Sequence, residues 1–260
     1  MKRIISLVLM LAITLLSLTS CARLSAAMDL QDAYPTDEQD YTVKSEIDFD
    51  IDDKNIISLY PTLAGDVKTT ATKCGENKKT VIETPIEGRR MVSEQTLVGN
   101  TYYIKASLTA AGTTLESQRF RIELTDSQRE EIFASEGSET GFGIGDFGKV
   151  KREKVDGSVV YTLNEFKDGS VSGLEDLVRG FLSSVDAEVK TVKMEITLTL
   201  VDGVVSTETV ECEFSIRDGS YEFNLPMTMV NTYTMNPDEI TVPINASNYQ
   251  LIPYDLIFGE

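Results

Sequence analysis

The chain has 260 residues, 24 lysines and arginines against 42 aspartates and glutamates, no histidine and no tryptophan. The acidic balance repels phosphate backbones and so argues against a nucleic-acid partner. The absence of histidine removes the commonest general base and the commonest metal ligand.

Met1-Lys2-Arg3 is a short cationic start, followed by the uncharged and almost wholly apolar run from Ile4 to Leu18. That run is shorter than the roughly 20 residues of a spanning helix and has the length of a secretory signal core. Leu18-Thr19-Ser20-Cys21 resembles the lipobox of bacterial lipoproteins. The resemblance implies cleavage between Ser20 and Cys21, a diacylglycerol thioether on the Cys21 thiol, and a protein exported and lipid-anchored on the extracytoplasmic side of a bacterial membrane. Residues 1–20 are then a signal peptide. The mature chain carries 22 basic and 42 acidic residues, a net of −20. On that charge it is expected to stand off from an anionic bilayer.

Residues 21–46 are polar, acidic and poor in branched apolar residues, which reads as a flexible tether. A single domain is expected over 47–260. Asp48, Asp50, Asp52 and Asp53 alternate with Ile47, Phe49 and Ile51, the period of a strand. The glycine and closing glutamate of an EF-hand are missing, so no metal is assigned.

Val67–Lys73, Lys79–Ile86, Arg90–Leu97, Thr101–Leu108 and Leu115–Leu124 are predicted strands of a meander, separated by Gly75, Gly88, Gly99 and Gly112. Thr125 and Gln128 then form a capping box for a short helix. Gly141–Gly148 contains both G-x-G-x-x-G and D-F-G. A helix precedes it and a strand follows it, the reverse of a dinucleotide fingerprint, and the kinase motif needs a histidine in its catalytic loop. It reads as the connection, near 125–149, between two meander halves.

In the second half, Val150–Val155 and Ser158–Asn164 flank an Asp156-Gly157 turn. A helix is predicted over Gly173–Glu188, opened by a Ser172/Glu175 capping box. Its apolar stripe is Leu174, Leu177, Val178, Phe181, Leu182 and Val185. Three alternating strands follow. Val192, Met194, Ile196, Leu198 and Leu200 share a face, as do Val210, Cys212, Phe214 and Ile216, and Tyr221, Phe223, Leu225, Met227 and Met229, with turns at Asp202-Gly203 and Asp218-Gly219. Cys74 and Cys212 can be read as a disulfide pair in an exported compartment or as small core residues.

The order of lipobox, acidic segment, meander, striped helix, second meander and closing Ile240-Thr241-Val242-Pro243 resembles the LolA-like group of bacterial lipoprotein and lipid carriers, which includes LolB, LppX and LprG. Thr101–Ser107, Glu188–Ile216 and Asp238–Tyr249 carry the likeness, which is nearest to lipoproteins of that type in Gram-positive bacteria. It implies an α+β, β-dominated fold: a strongly curved antiparallel half-barrel with helices on its concave face and an apolar cavity able to take acyl chains. Leu177, Phe181, Met194, Phe214, Phe223 and Met227 are the expected cavity lining. The same residues also fit a dry core. The functional expectations are a non-catalytic binding module for an apolar ligand or, alternatively, a surface interaction or assembly scaffold. No cofactor is expected, and paired acids such as Glu130-Glu131 or Asp238-Glu239 are read as solvated rather than catalytic.

Overall fold

The computed structural model describes residues 26, 29–30, 33–36, 38–86, 88–135, 147–167, 171–182 and 187–258. The expected signal peptide with Ser20, Cys21, residues 141–146 of the glycine-rich stretch and Val185 of the predicted helical stripe lie outside them.

The chain is β-dominated, with one large, mostly antiparallel sheet of 12 strands that is not closed. In chain order the strands are β1 (Tyr41–Phe49), β2 (Val67–Cys74), β3 (Asn77–Ile86), β4 (Arg89–Val98), β5 (Thr101–Ala110), β6 (Thr113–Glu123), β7 (Phe147–Val155), β8 (Ser158–Phe166), β9 (Glu188–Val201), β10 (Val204–Asp218), β11 (Tyr221–Met235) and β12 (Gln250–Leu251). Helices α1 (Lys54–Leu59), α2 (Asp126–Ser135), α3 (Ser172–Leu182) and α4 (Asp255–Phe258) lie between or after them. Across the sheet the order is β12-β6-β5-β4-β3-β2-β1-β11-β10-β9-β8-β7. The two meanders are therefore joined at the centre, where β1 pairs with β2 on one side and β11 on the other.

Tight turns set this topology. Cys74↔Asn77, Ile86↔Arg89, Val98↔Thr101, Ala110↔Thr113, Val155↔Ser158, Val201↔Val204 and Asp218↔Tyr221 each close a two-residue hairpin. At Asp156-Gly157 and Asp202-Gly203 both residues have positive φ, the primed turn whose twist matches the strands. The last hairpin differs from the expected Asp218-Gly219: Asp218 stays in β10 and Gly219-Ser220 make the turn.

Because side chains alternate along a strand, the register places Ile47, Val67, Met229, Val210, Ile196 and Leu163 on one face. Continued through Lys73, Lys78 and Leu97, the same face carries Tyr102 and Ile122. Two apolar clusters sit on that face. The larger covers β8–β11 and takes in Leu174, Val178 and Leu182 of α3; the smaller joins Leu97, Tyr102 and Ile122 to Ile132 of α2 and to Ile252.

Four expectations are corrected. Residues 41–46 are not tether but the first part of β1, at the centre of the sheet. Helix α3 is described to Leu182, and Glu188 already opens β9, so the chain is not helical to 188. Glu175 does not cap Ser172; its carboxyl oxygen accepts the backbone N–H of Thr191 at 2.8 Å, tying α3 to β9. Val192 is 57% exposed, out of phase with Met194, because the register with β10 slips between Glu213 and Phe214. This bulge brings Val189 and Thr191 inward in its place. The Thr125/Gln128 capping box, by contrast, is made in both directions: Thr125 N–H donates to Gln128 Oε1 at 3.0 Å and Gln128 N–H to Thr125 Oγ1 at 3.3 Å.

Candidate functional site

Of the six residues expected to line a cavity, five lie in or against the large apolar cluster, and Leu177 is exposed. Met194, Phe214 and Met227 are at most 2% exposed and belong to the large apolar cluster. Phe181 is half-buried, its ring edge-on to Phe49 at 5.2 Å, while Leu177 on the next turn is exposed. Phe223 is partly buried and packs against the same cluster near the β10–β11 turn, 5.9 Å from the Tyr60 ring. The α3 stripe is narrower than its sequence spacing implies, since one side of it meets solvent rather than the sheet.

Two open concavities lie on the surface. One, of about 550 Å³, runs between α1 and the start of β11 and is lined by Asp53, Ile56, Leu59, Tyr221, Glu222 and Phe223, among others. Asp53 caps α1 by accepting Asn55 N–H at 2.8 Å, so its carboxyl is committed to the helix. The Tyr60 hydroxyl donates to Asp218 Oδ2 at 2.7 Å, fixing α1 to the end of β10. Burial, with Asp218 beside it, pushes that hydroxyl up to about 12. The other concavity, of about 560 Å³, is polar and lies where β12 meets β6, with Ser117, Gln118, Arg119, Phe120, Asn248 and Gln250 around it. Of the six predicted lining residues, Phe223 alone borders either.

The most strongly built polar site was not predicted. Glu208 is 7% exposed on the apolar face of β10. Its Oε1 accepts the Tyr34 hydroxyl at 3.0 Å, and its Oε2 accepts Asn231 Nδ2 at 2.9 Å and the Tyr233 hydroxyl at 3.2 Å. The Tyr34 and Tyr233 rings meet edge-on at 5.8 Å. Burial first, and Glu208 second, hold both hydroxyls far above their ordinary value. A signal for this site exists in the sequence: Glu208 is in phase with Val210, Cys212, Phe214 and Ile216, a carboxyl at an inward position.

Tyr34 belongs to a segment expected to be tether. Instead Ala26 and Ala33 are fully buried in the large cluster, and Ala33 O accepts Val205 N–H at 2.8 Å. Asp29 Oδ2 accepts the Tyr161 hydroxyl of β8 and pairs with Arg152 of β7 at 3.4 Å. Arg152 Nε donates to the Tyr161 hydroxyl at 2.8 Å. The described parts of 26–36 thus strap across β7–β11.

Cys74 and Cys212 are free thiols. Cys74 follows Lys73, the partner of Tyr41, whereas Cys212 pairs with Met227, the partner of Phe49. The two cysteines therefore lie near opposite ends of β1, about 27 Å apart along the strand, far beyond disulfide reach. The disulfide alternative is thereby corrected. Burial pushes the Cys212 thiol from 9.0 to about 12, as expected of a core residue. Among the described residues no group of three or more Cys, Asp or Glu side chains is placed to hold a metal ion. Compared with protein-family models and with curated proteins, the chain matches none.

Proposed function

We propose that this chain is a lipid-anchored protein of the bacterial cell envelope that works as an interaction or assembly scaffold, exported by residues 1–20 and held by lipid on Cys21. In this reading the sheet is a half-barrel, curved over the face that carries α2 and α3. The scaffold role rests chiefly on the interior packing of Met194, Phe214 and Met227. These flexible side chains, which adapt to irregular ligands, are already filled in around α3 and the strap. Part of the other half of the sheet is available surface: no residue of β3 is buried, and the first seven residues of β6 are exposed.

A carrier of apolar ligands, as the LolA-like resemblance implies, is the second reading. The α1–β11 groove favours it, because Ile56, Leu59, Tyr221 and Phe223 give it an apolar wall.

Crosslinking in the native envelope combined with organic extraction of the gently purified protein separates the two. A stoichiometric protein partner and lipid-free extracts are expected. A co-purifying acyl lipid in near-equal amount, with no protein partner, would sink the scaffold reading.

A further inference from the structure

The net charge of the mature chain, −20, conceals an uneven distribution. Strand β7 (Phe147–Val155) carries Lys149, Lys151, Arg152 and Lys154 against the single acid Glu153, in a chain with almost twice as many acids as bases. Among the described residues β7 is also the last strand of the sheet. Arg152 pairs with Tyr161, so Arg152 and Lys154 share the apolar face while Lys149 and Lys151 lie on the other. The positive charge therefore runs along the edge, not over one face. Lys149 bridges to Glu165 and Lys151 to Glu153, with lysine side chains 70% and 66% exposed. Exposed pairs of this kind are weak and exchange readily for other anions.

The strap brings this edge to the anchor. Asp29, eight residues after Cys21, is held by Arg152 of β7 and Tyr161 of β8. Eight residues span at most about 29 Å, and the five from Cys21 to the fully buried Ala26 at most about 18 Å. A lipid on Cys21 thus keeps the β7–β8 side of the domain near the bilayer, where a 25-residue tether would have let it drift away.

We propose that the β7–β8 edge is the membrane-facing surface of the domain, and that Lys149, Lys151 and Lys154 lie against anionic phospholipid headgroups while Arg152 holds Asp29. The proposal rests on the lipid-anchored reading above. It also modifies the expectation that the acidic domain stands off: the strand richest in lysine faces the bilayer. Attraction of this kind is short-ranged at physiological salt, which is why the short link to Cys21 matters.

The test uses full-length lipidated protein in vesicles of phosphatidylcholine alone or mixed with phosphatidylglycerol. Brief amine acetylation is read lysine by lysine by mass spectrometry. Lys149, Lys151 and Lys154 are expected to label roughly fivefold more slowly in the anionic vesicles, the factor that one cation near such a surface contributes. Lys68 and Lys105, on the other half of the sheet, should be unchanged, and high salt should abolish the protection. The mass of the Cys21 peptide reads the anchor separately. Unmodified Cys21 defeats the anchored reading and the proposal with it. Lipidated Cys21 with equal labelling in both vesicles overturns the proposal alone, leaving the lysines as guards against edge-to-edge pairing.

Discussion

The Tyr34 hydroxyl donates a 3.0 Å hydrogen bond to Glu208 Oε1 across 174 positions of the chain. Tyr34 lies on the segment that links the domain to Cys21, and Glu208 lies deep on β10. With Asn231 and Tyr233 completing the carboxyl's partners, the bond fastens the segment ahead of β1 to the core. Glu208→Ala strands three donors in a water-poor site, each costing about 1–3 kcal/mol. A stability loss of about 3 kcal/mol or more is expected in urea unfolding. Tyr34→Phe should cost about 1 kcal/mol and make the chain around Tyr34 more easily cut by protease. A Glu208→Ala loss well under that of Tyr34→Phe would mean that the cluster holds nothing.

The bulge on β9 separates two residues that the alternation treats as equal. Met194→Ala should cost about 2–5 kcal/mol, as a buried truncation does. Val192→Ser, on the exposed bulge, should stay within about 0.5 kcal/mol. Equal effects at the two positions would contradict the register slip between Glu213 and Phe214.

Cys212 gives the protein an alkaline limit. Its folded-state value of about 12 is raised above the ordinary 9.0, so its contribution is fully present below pH 9 and is lost as pH rises toward 12. Within that window each pH unit should remove about 1.4 kcal/mol. The slope should be much reduced in Cys212→Ala, leaving the part contributed by tyrosines such as Tyr34, Tyr60 and Tyr233, whose raised values act above pH 10 in the same direction. Thermal melts at half-unit intervals from pH 8 to 11 measure both slopes.

The two thiols should also differ in reactivity. Cys74 is half-buried and Cys212 buried, so a maleimide should modify Cys74 in the native protein and reach Cys212 only on unfolding. Loss of two protons' mass from the native protein, with the two cysteines in one crosslinked peptide, would contradict their placement near opposite ends of β1.

Cys21→Ser should leave the domain folded, with an unchanged melting transition, and shift the protein from the membrane to the soluble extracytoplasmic fraction. Retention of the variant in washed membranes would falsify lipid anchorage through Cys21.

Much of the fold was legible because its rules are local. Asp156-Gly157 and Asp202-Gly203 specify primed turns through backbone sterics alone. Glycine-spaced runs rich in Val, Thr, Ile and Tyr mark β2–β6, period-two patterning marks β9–β11, and Thr125 with Gln128 announces α2 within four residues. Other features depend on partners far away in the chain. The pairing of β1 with both meanders, which makes one sheet of two halves, is decided by non-local hydrogen bonding. The C-terminal segment wraps the β6 edge in a way that no periodicity displays. Tyr249 packs on Tyr103 on one face, Gln250-Leu251 pair with β6, and Phe258 reaches Tyr102 on the other. Polar composition made residues 21–46 look like a tether, yet Ala26, Ala33 and Tyr34 bind because small side chains and one hydroxyl fit a surface built by β8–β11. Only the tertiary structure could supply that surface, and only it could show Met194, Phe214 and Met227 buried in one apolar cluster with α3.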